Sequence, residues 1–327
     1  TALNNLLKSE KNRQYIGGDT LVYWAEGEGE TEAEAFSCFS NPTEDDSEKL
    51  SAIMGRISQG QPVDLDGCDF QKPFYLLCLS PNAARISVRF FHVGTFGKII
   101  AKIAEHYGNL ELYSAQKETF KYLPPWILLS ETTVKGSASD AAPLLGGQLM
   151  RSLLLGERYP ITLFNAILTR IRSGSEINRA KSAVIKAVLI RNYKESEVSI
   201  MALNPESTNA AYVLGRLFSV LERLQAQANK SANIRERYFA SACANPCSVF
   251  PTLLKLSTHH SAKLDNAVFY EKLKTDLLGR LESENPFPAA FSLDNQGRFI
   301  LGYYHQTQEL FTSKKEKETT ENEQSNH

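Results

Sequence analysis

The chain has 327 residues, of which 42% are hydrophobic, as is ordinary for a globular protein with buried cores. Its 36 Lys and Arg residues nearly balance its 37 Asp and Glu residues, which excludes a polycationic chain that binds polyanions through overall charge. The length is sufficient for two or three domains of ~100–200 residues each. Five cysteines, an odd number, favour a reduced cytoplasmic chain over a disulfide framework.

The apolar runs of the sequence do not predict a membrane-spanning segment. No apolar run reaches the ~18–20 residues of a membrane span, and the first residues lack a signal-peptide pattern. The sequence begins at Thr1 without a methionine, and a predicted strand follows at residues 20–25. We therefore expect the chain to be part of a longer protein.

The first predicted region, residues 1–125, mixes strands and helices. Residues 20–25 and 74–79 are rich in strand-forming side chains. Between them, residues 26–48 carry nine acidic side chains. That density is typical of a solvated surface segment, which we favour over a metal site.

Residues 85–91 alternate between apolar and cationic side chains. Ile86, Val88 and Phe90 alternate with Arg85 and Arg89, and this period of two predicts a strand with an apolar face and a cationic face. The cationic side should carry the aromatic Phe91 as well. A helix is predicted next, over residues 95–107, with a buried stripe of five side chains: Phe96, Ile99, Ile100, Ile103 and Tyr107.

The second predicted region, residues 126–198, is helical and strongly basic. Gly and Pro residues punctuate its boundaries. Residues 151–194 contain nine Lys or Arg and two Glu, a net charge of 9 − 2 = +7 within a neutral chain. This is the most basic stretch of the sequence.

The third predicted region, residues 199–312, is an antiparallel helical bundle. Leu214, Leu217, Leu221 and Leu224 follow one another at spacings of 3, 4 and 3, which is typical of a bundle seam. Further helices are predicted over residues 234–243, from 248, over 265–281 with Val268, Leu273, Leu277 and Leu281 inward, and over 298–311. Residues 313–327 are polar and aperiodic, so we expect disorder there. The predicted fold class is therefore α+β, with a mixed N-terminal part and mostly helical regions after it.

The sequence contains no recognisable catalytic motif. Neither a phosphate-binding glycine loop nor a Gly-x-Ser-x-Gly elbow occurs. Cys243, Cys247, His259 and His260 could in principle hold zinc, but adjacent histidines on a helix point about 100° apart. A packed thiol pair with surface histidines is the favoured interpretation. We expect no enzyme activity, no cofactor and no metal.

The basic residues are the best candidates for a functional surface. Cationic rows beside an aromatic ring suit a polyphosphate backbone, because charge neutralisation supplies affinity and the ring can stack on a base. The alternative is a solvated helix surface with local ion pairs. The nucleic-acid-binding candidates are Arg85, Arg89, Arg170, Arg172, Arg179, Lys181, Lys186, Arg191, Arg216, Arg223 and Arg235.

Several strings, in order along the chain, carry a family resemblance. They are Tyr23-Trp24-Ala25, the run from Ser80 to Phe90, the run from Asn209 to Glu222, the run from Ile234 to Phe239, Val249-Phe250-Pro251 followed by His259-His260, and the run from Gly297 to Gln306. Together they resemble the large subunit of the type I-C CRISPR Cascade (surveillance) complex. Members of that family are considerably longer, so the chain looks like the C-terminal half or more.

The resemblance implies a non-catalytic role in RNA-guided defence. Such a subunit sits at one end of a crRNA–protein filament, helps recognise the motif beside the target, stabilises the R-loop and its displaced strand, and helps recruit a helicase-nuclease. The implied partners are crRNA, target double-stranded DNA, the backbone and crRNA-end-binding subunits, and free small subunits, without a membrane. The C-terminal bundle resembles the family's small subunit.

Other interpretations remain open at this point. The chain could be a structural helical adaptor whose basic residues meet acidic protein surfaces, or an unrecognised zinc-dependent enzyme. Met201 lies at the boundary of the predicted bundle, just before the helix-start signal Asn204-Pro205. We therefore also predict that the bundle folds alone and can be made as a separate polypeptide by internal translation. A C-terminal tag would reveal that short product, and replacing Met201 with Ile should abolish it.

Overall fold

The computed structural model describes residues 13–16, 19–25, 46–58, 71–82, 85–116, 118, 120–195, 201–229, 233–264, 267–282 and 284–324. Strands near the N-terminus precede a mostly helical remainder, which confirms the predicted α+β class. Most of the predicted acidic segment, residues 26–45, lies outside the described residues. The chain divides into two compact units, Thr1–Glu111 with Glu118–Ile167, and Leu112–Lys117 with Leu168–His327.

The first unit contains a four-stranded antiparallel sheet in which neighbours along the chain are neighbours in space. Its strands are β1 (Arg13–Ile16), β2 (Asp19–Ala25), β3 (Pro73–Asn82) and β4 (Arg85–Thr95). The three strands predicted from the sequence are therefore present, as β2, β3 and β4. Two residues separate β1 from β2 and β3 from β4, as in hairpins, whereas a long connection that includes a helix joins β2 to β3.

One face of this sheet is covered by helix α2 (Phe96–Leu110). All five apolar residues of the predicted stripe are buried, and the rings of Phe74 on β3 and Phe96 lie 5.1 Å apart between centroids. The helix follows β4 without a loop, so the chain folds back over the sheet at Thr95. Helix α1 (Asp46–Ser58) packs against α2.

The prediction that Ile86, Val88 and Phe90 of β4 all face inward is wrong for the first half of the strand. Phe90 is buried, but Ile86 and Val88 are 66% and 62% exposed. The register explains the difference, because Cys78 pairs with Phe90 whereas Leu79 pairs with Val88. Arg89 is thus the extra residue of a β-bulge, and a one-residue insertion reverses the alternation of the side chains on either side of it.

Two further helices lie in the first unit, and a third crosses its boundary with the second unit. Helices α3 (Pro125–Ser130) and α4 (Leu145–Leu155) lie within it, and α4 packs on α2. Helix α5 (Ile161–Arg172) begins in the first unit and ends in the second. Within the first unit, the buried His106 Nδ1 atom lies 2.7 Å from the Tyr159 hydroxyl oxygen.

The second unit is helical. Its helices are α6 (Arg179–Tyr193), α7 (Ala210–Ala228), α8 (Ile234–Ala244), α9 (Phe250–Ser261), α10 (Ala267–Gly279) and α11 (Leu293–Gln324). The four leucines of the predicted seam all lie buried on α7. Asn209 caps the N-terminus of α7, where its side chain accepts a hydrogen bond from the backbone N–H of Tyr212.

Two predictions about the last two helices of this unit are corrected. Val268 was expected inward but is 78% exposed, because the buried residues of α10 are Tyr270, Lys274 and Leu277. Those positions lie on the far side of the helix from Val268 at 100° per residue. Helix α11 continues to Gln324, whereas disorder was expected from residue 313. The Lys and Glu residues of that stretch are strong helix formers even without an apolar stripe.

Helices α7 and α11 cross in close contact at two glycines. A Cβ atom added at Gly215 would lie 1.9 Å from the Phe299 carbonyl oxygen, and one added at Gly302 would lie 2.1 Å from the Tyr212 carbonyl oxygen. Only glycine lets the two backbones approach so closely. Across the described ranges, no helix is both long and apolar enough to traverse a bilayer.

Candidate nucleic-acid interface

Helix α6 places two of the predicted site residues in the interior. Every residue from Ala180 to Leu189 is buried, and Lys186 is fully buried while Lys181 is nearly so. Lys181 and Lys186 were predicted among the nucleic-acid-binding cations, and their burial removes both from the accessible surface. The reason is the helix's own sequence, since residues 183–190 are almost all apolar and a helix that is apolar on every side is buried.

Arg216 on α7 is also a buried, structural residue. Its Nε donates to the Gln306 side-chain oxygen at 3.0 Å, and its Nη1 donates to the carbonyl oxygens of Asn204 and Pro205 at 3.2 and 3.3 Å. Burial lowers the pKa of Arg216. This guanidinium holds the segment before α7 against the bundle, so the structure removes it from the surface set.

Six of the predicted cations in the second unit keep part of their surface accessible. Arg172 is exposed and the other five are half-buried: Arg170, Arg179, Arg191, Arg223 and Arg235. Arg170 and Arg172 lie in the last turn of α5, where cations complement the negative end of the helix dipole. Helix-end stabilisation and anion binding are compatible roles for them.

The turn after α5 contacts the backbone of Arg170 and the side chain of Arg235. The Ser175 backbone N–H donates to the Arg170 carbonyl oxygen at 3.1 Å. Arg235, near the start of α8, donates from Nη2 to the Ser175 carbonyl oxygen at 3.0 Å. Gly174 adopts a φ of +96°, which an L side chain rarely tolerates. One tight turn thus ties the end of α5 to the start of α8.

Arg235 is further fixed by an aromatic ring. Its Cζ lies 5.7 Å from the centroid of the Tyr303 ring, in cation–π geometry. Tyr303 in turn donates from its hydroxyl to Glu222 Oε2 at 2.6 Å. Burial raises the pKa of Glu222, and the hydrogen bond from Tyr303 and the charge of Arg235 oppose that rise.

In the first unit, the structure describes one of the two predicted cationic side chains. Arg89, at the bulge of β4, is half-buried and donates from Nη2 to the Ser80 hydroxyl oxygen at 2.7 Å. Phe91 is exposed, as expected. The side chain of Arg85 lies outside the described residues, so its role stays a prediction.

The four residues considered for zinc do not form one site. Cys243 is buried, with its Sγ 3.8 Å from the Gln296 carbonyl oxygen, and burial raises the pKa of its thiol to about 12. Cys247 is exposed and instead approaches the Ala289 carbonyl oxygen at 3.8 Å. Among the residues with described positions, no group of three or more His, Cys, Asp or Glu side chains could hold a metal ion.

Reasoning from the sequence missed Ser175. Its serine–glycine–serine context, residues 173–175, reads only as a turn between two helices. The one available signal was that this turn follows two arginines and precedes Arg179. Nothing in the sequence indicated that Arg235, sixty residues away, would contact it.

Comparison of the sequence with protein-family models shows the family of the chain. The model of the family described as "CRISPR-associated protein (Cas_Csd1)" matches residues 1–311. The chain belongs to this family. It is therefore a CRISPR-associated protein, as expected of a subunit of a Cascade-type complex. A search of curated proteins gave no match.

Membership in the Cas_Csd1 family fits the placement of the accessible arginines. A CRISPR-associated protein has nucleic acids and other Cascade components as its expected partners. The planar donor geometry of a guanidinium group suits phosphate oxygens, and six predicted arginines of the second unit keep part of their surface accessible. The family match does not assign a role to any single residue.

Proposed function

We propose that this chain is the non-catalytic large subunit of a type I-C CRISPR surveillance complex in the cytoplasm. In this role it binds target DNA, stabilises the R-loop and the displaced strand, and helps recruit the helicase-nuclease. Its partners are crRNA, the backbone and crRNA-end-binding subunits, and free small subunits. The observation that carries the proposal is the match to the Cas_Csd1 family over residues 1–311.

The accessible arginines supply a physical reason for the role. R-loop formation replaces DNA pairs by RNA–DNA pairs of similar stability, so small contributions from protein contacts to the strands decide the balance. Contacts from Arg to phosphate are insensitive to base sequence, as a subunit that serves many guides requires. Arg170, Arg172 and Arg179 combine accessibility with the most basic part of the chain.

The salt dependence of binding tests this proposal. In the assembled complex, replacing Arg170, Arg172 and Arg179 with Gln should weaken DNA binding and lower the slope of log K against log salt by up to about 0.7–0.9 per lost contact. The matched control replaces three exposed cations of the same unit with Gln: Arg237, Lys255 and Lys272. An equal slope in the wild-type complex and both variants would contradict direct DNA contact by this surface.

A structural adaptor is the competing proposal, and one observation favours it for part of the surface. Lys181, Lys186 and Arg216 serve the interior of the second unit, so much of the basic sequence supports the fold. If the chain is an adaptor, it should still assemble into the complex, and the triple arginine variant should leave the DNA affinity of that complex unchanged. The same salt titration therefore separates the two proposals.

A further inference from the structure

We propose that the turn after α5 is a built site for one phosphate group, formed by Arg170, Ser175 and Arg235. The inference deepens the proposed function, because the phosphate expected there is one of a nucleic-acid backbone. It rests on hydrogen-bonding atoms that lack acceptors, on the fixed position of a guanidinium group and on the local charge.

Two buried polar atoms of this turn have no hydrogen-bond partner within the described part of the chain. They are Nε of Arg170 and Oγ of Ser175. Their backbones are joined directly by the 3.1 Å hydrogen bond from Ser175 to Arg170. Buried polar groups are normally hydrogen-bonded, and a pair of unsatisfied donors in one turn indicates a missing acceptor.

Arg235 brings a third donor group to the same turn. Its Nη2 contacts the Ser175 carbonyl oxygen and its plane lies near the Tyr303 ring, so little side-chain freedom remains to be lost on binding. A guanidinium has five N–H donors, and the described contact uses one of them. A ligand with several acceptor oxygens, such as a phosphate group, matches this set of donors.

The local charge is also favourable for an anion. Within the described residues, neither Glu176 nor Glu236, the acidic neighbours in sequence, forms an ion pair with Arg170 or Arg235. The carboxyl group whose charge acts on Arg235 is Glu222, which accepts the hydrogen bond from Tyr303. At the end of α5, backbone N–H groups of residues 173–175 donate to the carbonyl oxygens of Thr169, Arg170 and Ile171. Arg170 and Arg172 add positive charge to the last turn and offset the negative end of the helix dipole.

The test compares three single variants of the full chain for binding to a single-stranded oligothymidylate, measured by fluorescence anisotropy at fixed salt. Ser175→Ala removes the unpartnered hydroxyl without changing any charge, and Arg170→Gln removes one guanidinium of the site. Arg237→Gln, two residues beyond Arg235 on the exposed side of α8, removes the same charge outside the site. We expect Ser175→Ala and Arg170→Gln each to lower affinity on the order of tenfold, and Arg237→Gln by less than about twofold.

A second measurement distinguishes failure of this site from failure of the proposed function. Inorganic phosphate, added at constant ionic strength against chloride, should raise the unfolding temperature of the wild type but not of Ser175→Ala. Without phosphate, Ser175→Ala should unfold at the same temperature as the wild type or slightly higher, because Oγ has no partner to lose and a buried hydroxyl without a partner is itself destabilising.

Each outcome bears on the site. Oligothymidylate binding that is unchanged in Ser175→Ala, together with equal effects of the two arginine variants, overturns the built site and leaves the proposed function standing. Phosphate protection that requires Ser175, in a chain and complex without affinity for DNA, supports the anion site and overturns the proposed function. Phosphate protection that is equal in the wild type and Ser175→Ala overturns the site.

Discussion

His305 is a buried histidine whose surroundings disfavour its charged form. Its Nδ1 lies 2.8 Å from the Tyr212 hydroxyl oxygen, and its Nε2 has no hydrogen-bond partner among the described residues. Burial, together with the positive charges of Lys186 and Arg216, lowers the pKa of His305 to about 3. The imidazole is therefore neutral in the folded protein at neutral pH.

Because His305 is neutral when folded, we expect the stability of the second unit to fall at acidic pH. Unfolding returns the pKa of His305 towards its ordinary value of 6.5, so between pH 6.5 and about 3 the unfolded chain binds a proton that the folded chain does not. Stability is thus complete above pH 6.5 and declines as the pH falls, by about 2 kcal/mol at pH 5. We expect urea denaturation to show this loss in the wild type and a smaller loss in His305→Gln. Equal pH dependence in both proteins would refute the assignment.

At the scale of elements, the crossing of α7 and α11 depends on two glycines. The atoms nearest to an added Cβ belong to the backbone of the opposite helix rather than to a flexible side chain. The surrounding aromatic side chains of Phe218, Phe239 and Phe299 pack with ring centroids 5.2–6.2 Å apart, so the crossing anchors the core of the second unit. A methyl group at the crossing requires the helices to move apart.

Gly215→Ala should therefore destabilise the protein by about 3 kcal/mol or more, the upper range for overpacked cores. Gly279→Ala is the matched control, because an added Cβ there meets nothing within 4 Å and its backbone is helical. We expect that control to be neutral or slightly stabilising. Chemical denaturation monitored by circular dichroism measures both. A Gly215→Ala protein as stable as the control would show that the helices do not cross as described.

The elements also show what the sequence predicts and what it does not. Helix α2 was predictable because its apolar residues recur at a single helical period, so their local spacing alone marks the buried face. Strand β4 was mispredicted because the bulge at Arg89 depends on pairing with β3, which a single strand's alternation does not encode. Lys186 was mispredicted because its charge was taken to indicate an exposed position. The apolar residues on both sides of it were the better indicator of burial.

At the scale of the molecule, the second unit includes more than the bundle predicted at 199–312. Helix α6 packs on α11, and Glu195 after α6 accepts from Arg298 Nη2 at 2.8 Å. Residues 112–117 also contact α11, since the Ala115 N–H donates to Gln308 Oε1 at 2.8 Å and Tyr304 donates to the Tyr113 carbonyl oxygen at 3.0 Å. These long-range contacts could not be read from local patterns, which locate helices but not their neighbours.

A polypeptide that begins at Met201 should therefore be incomplete. It lacks α6, whose buried Val184, Ile185, Val188 and Leu189 would each contribute about 1.5–3 kcal/mol by burial. We expect residues 201–327 to unfold with a free energy at least about 3 kcal/mol lower than residues 161–327, or to associate with a second copy. Denaturation with analytical ultracentrifugation checks both possibilities. A monomeric 201–327 with the stability of the longer polypeptide would instead support the prediction that the bundle folds alone.

The central claim, that this Cas_Csd1 protein works within an RNA-guided complex, is tested most directly by what it binds in cells. The tagged chain should be expressed from its complete gene with its neighbouring CRISPR genes and array, then purified, and its bound RNA sequenced. We expect the other subunits to copurify with the chain, together with RNA enriched in sequences of the array, and we expect this enrichment to be lost when the array is deleted. Purification without the other subunits, or with RNA that is not enriched in array sequences, would contradict it.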